Sequence, residues 1–233
     1  MRSVFALPLL LCLFVSCSAE EDAPASNALF EERDGLLVVE AESFERQLLP
    51  TPRQWYISTF MEPTDIEPDG DDSHARTASG EAYLEILPDT RRTHDDELIT
   101  GENFSNAPGQ LAILGYPVRF NTAGRYYVWV RAFSTGTEDN GIHVGVNFEW
   151  PASGQRMQWC EGKNQWTWAS KQRTDAVHCG VPGLIYIDIP EPGDYTVNFS
   201  MREDGFEFDK WIMTTDPDYV PSGAGPAEYR IDQ

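Results

Sequence analysis

The chain has 233 residues, enough for one domain of ordinary size with a sizeable core. A formal net charge of -21 repels nucleic acid and other polyanions, so neutral glycans or cation-bearing ligands are the easier partners. Beyond the N-terminus no run approaches the roughly 20 apolar residues that a membrane-spanning helix requires.

Residues 1–16 read as a lipoprotein signal peptide, with Arg2 ahead of an apolar run over 4–15 and small residues behind it. Phe14-Val15-Ser16-Cys17 resembles a bacterial lipobox, whose cysteine is lipidated as the first mature residue. Phe14 departs from the usual leucine, and ordinary cleavage near Ala19 is the alternative. The reading implies export across the inner membrane and an outer-membrane or cell-surface location, with a lipid on Cys17 as the sole membrane contact. Residues 17–34 then form an acidic linker.

The domain proper is expected over 35–216. Strand signals recur at 36–41, 55–60, 82–87, 112–120, 125–133, 142–148, 184–189, 195–201 and 206–214, each bounded by Gly, Pro, Asn or Asp. Alternation is clearest in Tyr126-Tyr127-Val128-Trp129-Val130-Arg131, where one face is apolar. Many short strands without a convincing long helix argue for an all-β, antiparallel β-sandwich. In the first strand, Val38-Val39-Glu40-Ala41-Glu42, period 2 places both glutamates on one face, and two like charges side by side want a cation. If the last strand lies beside it, Asp209 could complete an oxygen cage for calcium; a solvated acidic face is the competing reading.

The segment 153–180 carries Trp159, Trp166 and Trp168 between or beside Cys160 and Cys179, interleaved with polar residues at neither strand nor helix spacing. This predicts a polar surface loop presenting flat rings to a sugar, with core packing of the tryptophans as the rival. With Cys12 removed with the signal and Cys17 lipidated, only Cys160 and Cys179 remain to pair in an oxidising compartment. Arg156, Lys163, Lys171 and Arg173 make the segment locally basic. The loop 88–109 is long for a compact domain, and 217–233 reads as an irregular tail.

Taken together, the VVEAESF opening, the GRYYVWVRA strand, the DNGIHVGVN segment, the GDYTVNFSMREDGFEFDKWIMT ending and the Trp/Cys segment resemble carbohydrate-binding β-sandwiches of the family 6 and family 35 kind. They are most similar to the accessory domain at the C-terminus of family 115 glycoside hydrolases and beside agar-degrading enzymes. The resemblance implies a jelly-roll of the galactose-binding-like class with a structural calcium on Glu40, Glu42 and Asp209. It also implies a sugar site in loops at one end of the sandwich. Trp166 and Trp168 are then the stacking candidates, with Trp159 beside them and Asn140, Tyr83 and Glu207 as polar candidates. Relatives often place an asparagine where this chain has Asp204 and Glu207, so the hydroxyl partner differs here.

The function expected is a non-catalytic module that binds a polysaccharide or oligosaccharide, in company with a glycan-degrading enzyme. Two alternatives stand beside it: a jelly-roll hydrolase or lyase using Asp95-Asp96-Glu97 or Asp204 with Glu207, and a surface lipoprotein whose tryptophans dock a protein partner.

Overall fold

A computed structural model describes residues 29–231; the signal, Cys17 and most of the acidic linker lie outside the described residues. In chain order the strands are β1 (Phe30–Glu31), β2 (Leu36–Glu40), β3 (Arg46–Leu48), β4 (Gln54–Thr59), β5 (Ala82–Leu87), β6 (Ile113–Phe120), β7 (Gly124–Phe133) and β8 (Gly141–Val146). They continue as β9 (Met157–Gln158), β10 (Thr167–Ala169), β11 (Lys171–Gln172), β12 (Val181–Pro182), β13 (Tyr186–Ile189), β14 (Gly193–Met201) and β15 (Glu207–Thr214). All nine strands expected from the sequence are present, with ends within two residues.

Two sheets pack face to face. The first has eight strands in the order β1-β6-β14-β8-β9-β11-β12, with β3 on β6; the second has seven, β10-β7-β15-β5-β4, with β2 on β15 and β13 on β7. Alternation decides what lies between them. On β7, Tyr126, Val128, Val130 and Ala132 point inward, as do Val197, Phe199 and Met201 on β14. An aromatic network links the layers: Phe199 meets Phe208 at 4.9 Å and Trp211 at 5.4 Å between ring centroids, and Tyr116 meets Trp211 at 5.2 Å. Edge-on pairs of this kind add roughly 0.5–1.5 kcal/mol beyond the area they bury.

The sandwich begins inside the stretch whose composition suggests linker. β1 runs parallel to β6, and Phe30 belongs to the core. Two residues are too few to show a period, which hides such a strand in the sequence.

The reading of 153–180 as a polar surface loop holds only in part. β9 extends the first sheet beside β8, pairing Ile142 with Met157, and so directs both Met157 and Trp159 into the core. Trp159 is 2% exposed, lies 5.1 Å from the Phe206 ring and donates its indole N–H to the Thr167 carbonyl at 3.1 Å. It is a core residue and not a sugar platform. Cys160 and Cys179 are disulfide-bonded, as the cysteine arithmetic requires, with Cα atoms 5.4 Å apart.

The outer face of the second sheet is covered along β15, while parts of β4, β7 and β13 remain exposed. β15 is buried along its whole length because the segment 60–81 and the C-terminal residues 217–231 fold over it. The tail is irregular yet anchored: the Pro226 carbonyl accepts from Lys210 Nζ at 3.0 Å, and Glu228 Oε2 accepts from the Glu40 amide at 3.0 Å.

Candidate functional site

The outer face of the second sheet carries the chain's concentration of aromatic and charged groups. Outward positions of β7 are Tyr127, Trp129, Arg131 and Phe133, and β10 adds Trp168 directly beside Arg131 in antiparallel register. The two expected stacking tryptophans part company here. Trp166 packs edge-on against Phe133 at 5.4 Å and Tyr83 at 5.5 Å. Trp168 instead walls a cleft of about 300 Å³ lined by Tyr127, Trp129, Pro182, Pro217 and Tyr219.

Trp168 is held rigidly. Its indole N–H donates to the Gly223 carbonyl at 3.0 Å, and the tail passes so close that a Cβ at Gly225 would stand 2.9 Å from the ring. Gly225 has φ +75°, so a side chain there would also be strained. The outcome is a partly exposed aromatic ring fixed in orientation before any ligand arrives.

Glu40, Glu42 and Asp209 come near one another, although not as a strand pair and not with all three ligand atoms within 4.8 Å of one another. β2 ends at Glu40, and Glu42 sits in the 3-10 turn Ala41–Ser43 that follows. β2 lies against β15, with Glu40 opposite Lys210. Lys210 Nζ approaches Glu40 Oε1 at 2.7 Å, while Asp209 accepts from Arg131 at 2.5 Å and from the Ser79 amide at 2.7 Å. Glu40 Oε2 and Glu42 Oε2 are buried and meet no donor. Burial, reinforced by Glu40, Asp209 and Glu228, pushes the Glu42 carboxyl up to about 8. The two orphaned oxygens near Asp209 are buried acid that Lys210 and Arg131 answer only in part.

Of the polar candidates, Asn140 is consumed structurally: its amide donates to the Thr137 carbonyl at 2.8 Å and accepts from Gln158. Tyr83 and Glu207 are buried, and they belong to a second constellation that the sequence reading does not assemble. Glu207 faces Glu85 in register across β15 and β5. His74, from the segment 60–81, brings Nδ1 to 2.8 Å from Glu207 Oε1 and stacks on Phe133 at 3.6 Å. Burial raises both Glu85 and Glu207 well above the usual carboxylate range, and their neighbouring carboxylates raise them further. Burial lowers His74, against the pull of Asp71 and Asp72.

Of the other candidate acids, Asp204 and Asp96 have partners, although Asp204 Oδ1 meets no donor. Asp204 Oδ2 accepts from Arg53 Nε at 3.0 Å and from Thr90, and Asp96 caps its own turn through the Thr93 amide at 2.8 Å. Three of the four residues of the basic patch are compensated, Arg156 by Asp175, Lys171 by Glu161 and Lys163 by Asp139, while Arg173 meets Gln158 and His178.

Residues 29–228 match the glycosyl hydrolase family 115 C-terminal domain. The chain belongs to that family. The "Uncharacterized protein P23" of Formosa agariphila is 57% identical to this family 115 C-terminal domain over 202 residues, 87% of the chain and 49% of the relative. The chain therefore spans about half the length of that relative. Among solved structures, the Podospora anserina GH26-CBM35 β-(1,4)-mannanase is similar over 81% of this chain and 29% of its own, with TM-score 0.44 and 11% identity. The Paenibacillus xanthan lyase is similar over 77% and 13%, with TM-score 0.43 and 12% identity. Both likenesses are weak, and the fold assignment rests on the two sheets themselves. Membership places the chain in the context of polysaccharide degradation.

Proposed function

We propose that this family 115 C-terminal domain is a non-catalytic glycan-binding module, of the carbohydrate-binding kind typified by families 6 and 35. It grips a polysaccharide in the cleft of Tyr127, Trp129, Trp168 and Tyr219. The observation that carries this reading is the fixed, partly exposed Trp168 ring in an aromatic cleft. Pyranose C–H bonds meet the negative face of such a ring, and a preset ring orientation lowers the entropy lost on binding. Hydrolysis ordinarily needs two carboxyl groups flanking the scissile bond. The cleft lining holds one carboxylate, Asp218.

In the same reading Glu40, Glu42 and Asp209 hold a structural calcium, whose charge would offset the carboxylates gathered there. A lipid on Cys17 would keep the module at the outer membrane or cell surface, beside an enzyme that degrades the captured glycan. Among the described residues no helix is long and apolar enough to cross a membrane.

The test is affinity electrophoresis of the chain against soluble polysaccharides, including agar-type galactans and glucuronic-acid-bearing xylans, with reducing and unsaturated ends assayed in parallel. Trp168→Ala and Trp129→Ala should each weaken retention at least about tenfold, the equivalent of 1.4 kcal/mol, without unfolding the domain. Product release by the natural chain would replace the binding reading with an enzymatic one.

A further inference from the structure

Glu207 and Glu85 pose an electrostatic problem that the glycan cleft and the Glu40 cluster leave unsolved. Both are 2% exposed and stand directly opposite each other on neighbouring strands. Like charges so placed destabilise a sheet, and burial compounds the cost. The ion-pair partner of Glu207 is His74, while Glu85 has the Tyr83 hydroxyl at 3.4 Å. A third buried carboxylate, Asp89, lies close enough to push Glu85 up. It is 7% exposed, and its Oδ1 meets no donor.

We propose that Asp71, His74 and Glu207 bind a divalent transition-metal ion, manganese or zinc, in a site separate from Glu40, Glu42 and Asp209. One ligand atom from each of the three lies within 4.8 Å of the others, and Asp69, Asp71 and Glu85 form an adjoining set with the same spacing. Ligand atoms at bonds of about 2.0–2.4 Å from one ion stand no more than about 4.8 Å apart, so the three fit a single coordination sphere.

The elements around the site keep it in place. His74 is clamped by stacking on Phe133, and its Nδ1 already points at the carboxylate. Asp71 comes from the same segment, at the wall of a cavity of about 240 Å³ that Tyr83 also lines and that gives an ion a route in. The donor set selects the metal: imidazole with carboxylates suits manganese and zinc, whereas calcium takes oxygen alone. Asp89 has Arg92 Nε at 3.6 Å, whereas Glu85 and Glu207 have no lysine or arginine partner among the described residues and would gain their cation from the ion.

The experiment uses the chain stripped with chelator and kept free of calcium, which could otherwise occupy Asp71 through the adjoining oxygen-only set. Mn²⁺ is titrated in, with free ion followed by electron paramagnetic resonance, and Zn²⁺ binding is measured by calorimetry. One ion per chain is expected, bound at least tenfold more weakly by His74→Ala and by Asp71→Asn. Asp175→Asn, at an exposed carboxylate in the segment 153–180, should bind as the natural chain does. Both test positions lie in the covering segment outside the core, and thermal midpoints confirm folding; if one variant unfolds, the other carries the readout. Absence of Mn²⁺ and Zn²⁺ binding by the natural chain, or affinity in both variants equal to that of the natural chain, would overturn the assignment.

Discussion

Trp159 and Trp168 share one disulfide-tied segment, and their indoles do opposite work. Trp159 packs against Phe206 and satisfies its N–H within the fold, whereas Trp168 is partly exposed and lines a cleft with Trp129. Trp159→Ala should therefore leave a cavity and cost about 3–5 kcal/mol, read as a fall in the urea midpoint at unchanged slope. The same truncation at Trp168 should cost far less stability, its main effect falling on glycan retention. The sequence marked both as candidates because residue type is the same. Tyr127 and Trp129 carried a usable signal, as large aromatics on the otherwise polar face of a strictly alternating strand.

The pairing of β2 with β15 brings Glu40 beside Lys210 and carries Glu42 into the turn behind it. The expected neighbourhood of first and last strands is present. The expected geometry of two glutamates on one strand face is not, because the strand stops at Glu40. Lys210 and Arg131 already answer part of the negative charge, and the orphaned oxygens are the remainder. Calcium should raise the thermal midpoint of the chelated chain, by an amount corresponding to about 2.7 kcal/mol at a hundredfold excess over the dissociation constant. Glu42→Gln should abolish that response while leaving the metal-free chain no less stable, since Glu42 is largely protonated near neutrality. A calcium response unchanged in Glu42→Gln would move the ion elsewhere.

The whole domain carries its excess acid partly inside, and this shapes its response to pH. Asp89 is pushed from 3.8 to about 7 by burial, helped by Asp204 and Asp139 and opposed by Arg92. The folded state thus holds its proton more tightly than the unfolded chain, so its contribution is full at acid pH and lost as pH rises through about 7. His143 behaves oppositely. Buried between the Ser105 carbonyl and the Arg156 amide, it falls from 6.5 to about 3, and its contribution is lost as pH drops below 6.5. Stability without metal should peak on the acid side of neutrality, each tenfold change in proton affinity on folding being worth on the order of 1.4 kcal/mol. Denaturant midpoints in chelator across pH should show Asp89→Asn flattening the alkaline limb and His143→Gln, which can replace both hydrogen bonds, flattening the acid one. Limbs untouched by either variant would assign them to other groups.

Nine strands and the disulfide could be read from the chain alone, because alternation and cysteine pairing are local or arithmetical constraints. Burying one face of each strand is enough to make a sandwich, whatever its loops do. Six short strands escaped, β1, β9, β11 and β12 with two residues and β3 and β10 with three, because so few residues show no period, and with β9 went the inward turn of Trp159. The meetings of His74 with Glu207, of Asp209 with Ser79 and of Trp168 with Gly223 join residues far apart in sequence. They depend on how the segment 60–81 and the tail return over the second sheet. Only the packed molecule decides that, since no local preference tells a polar segment which distant face it will cover.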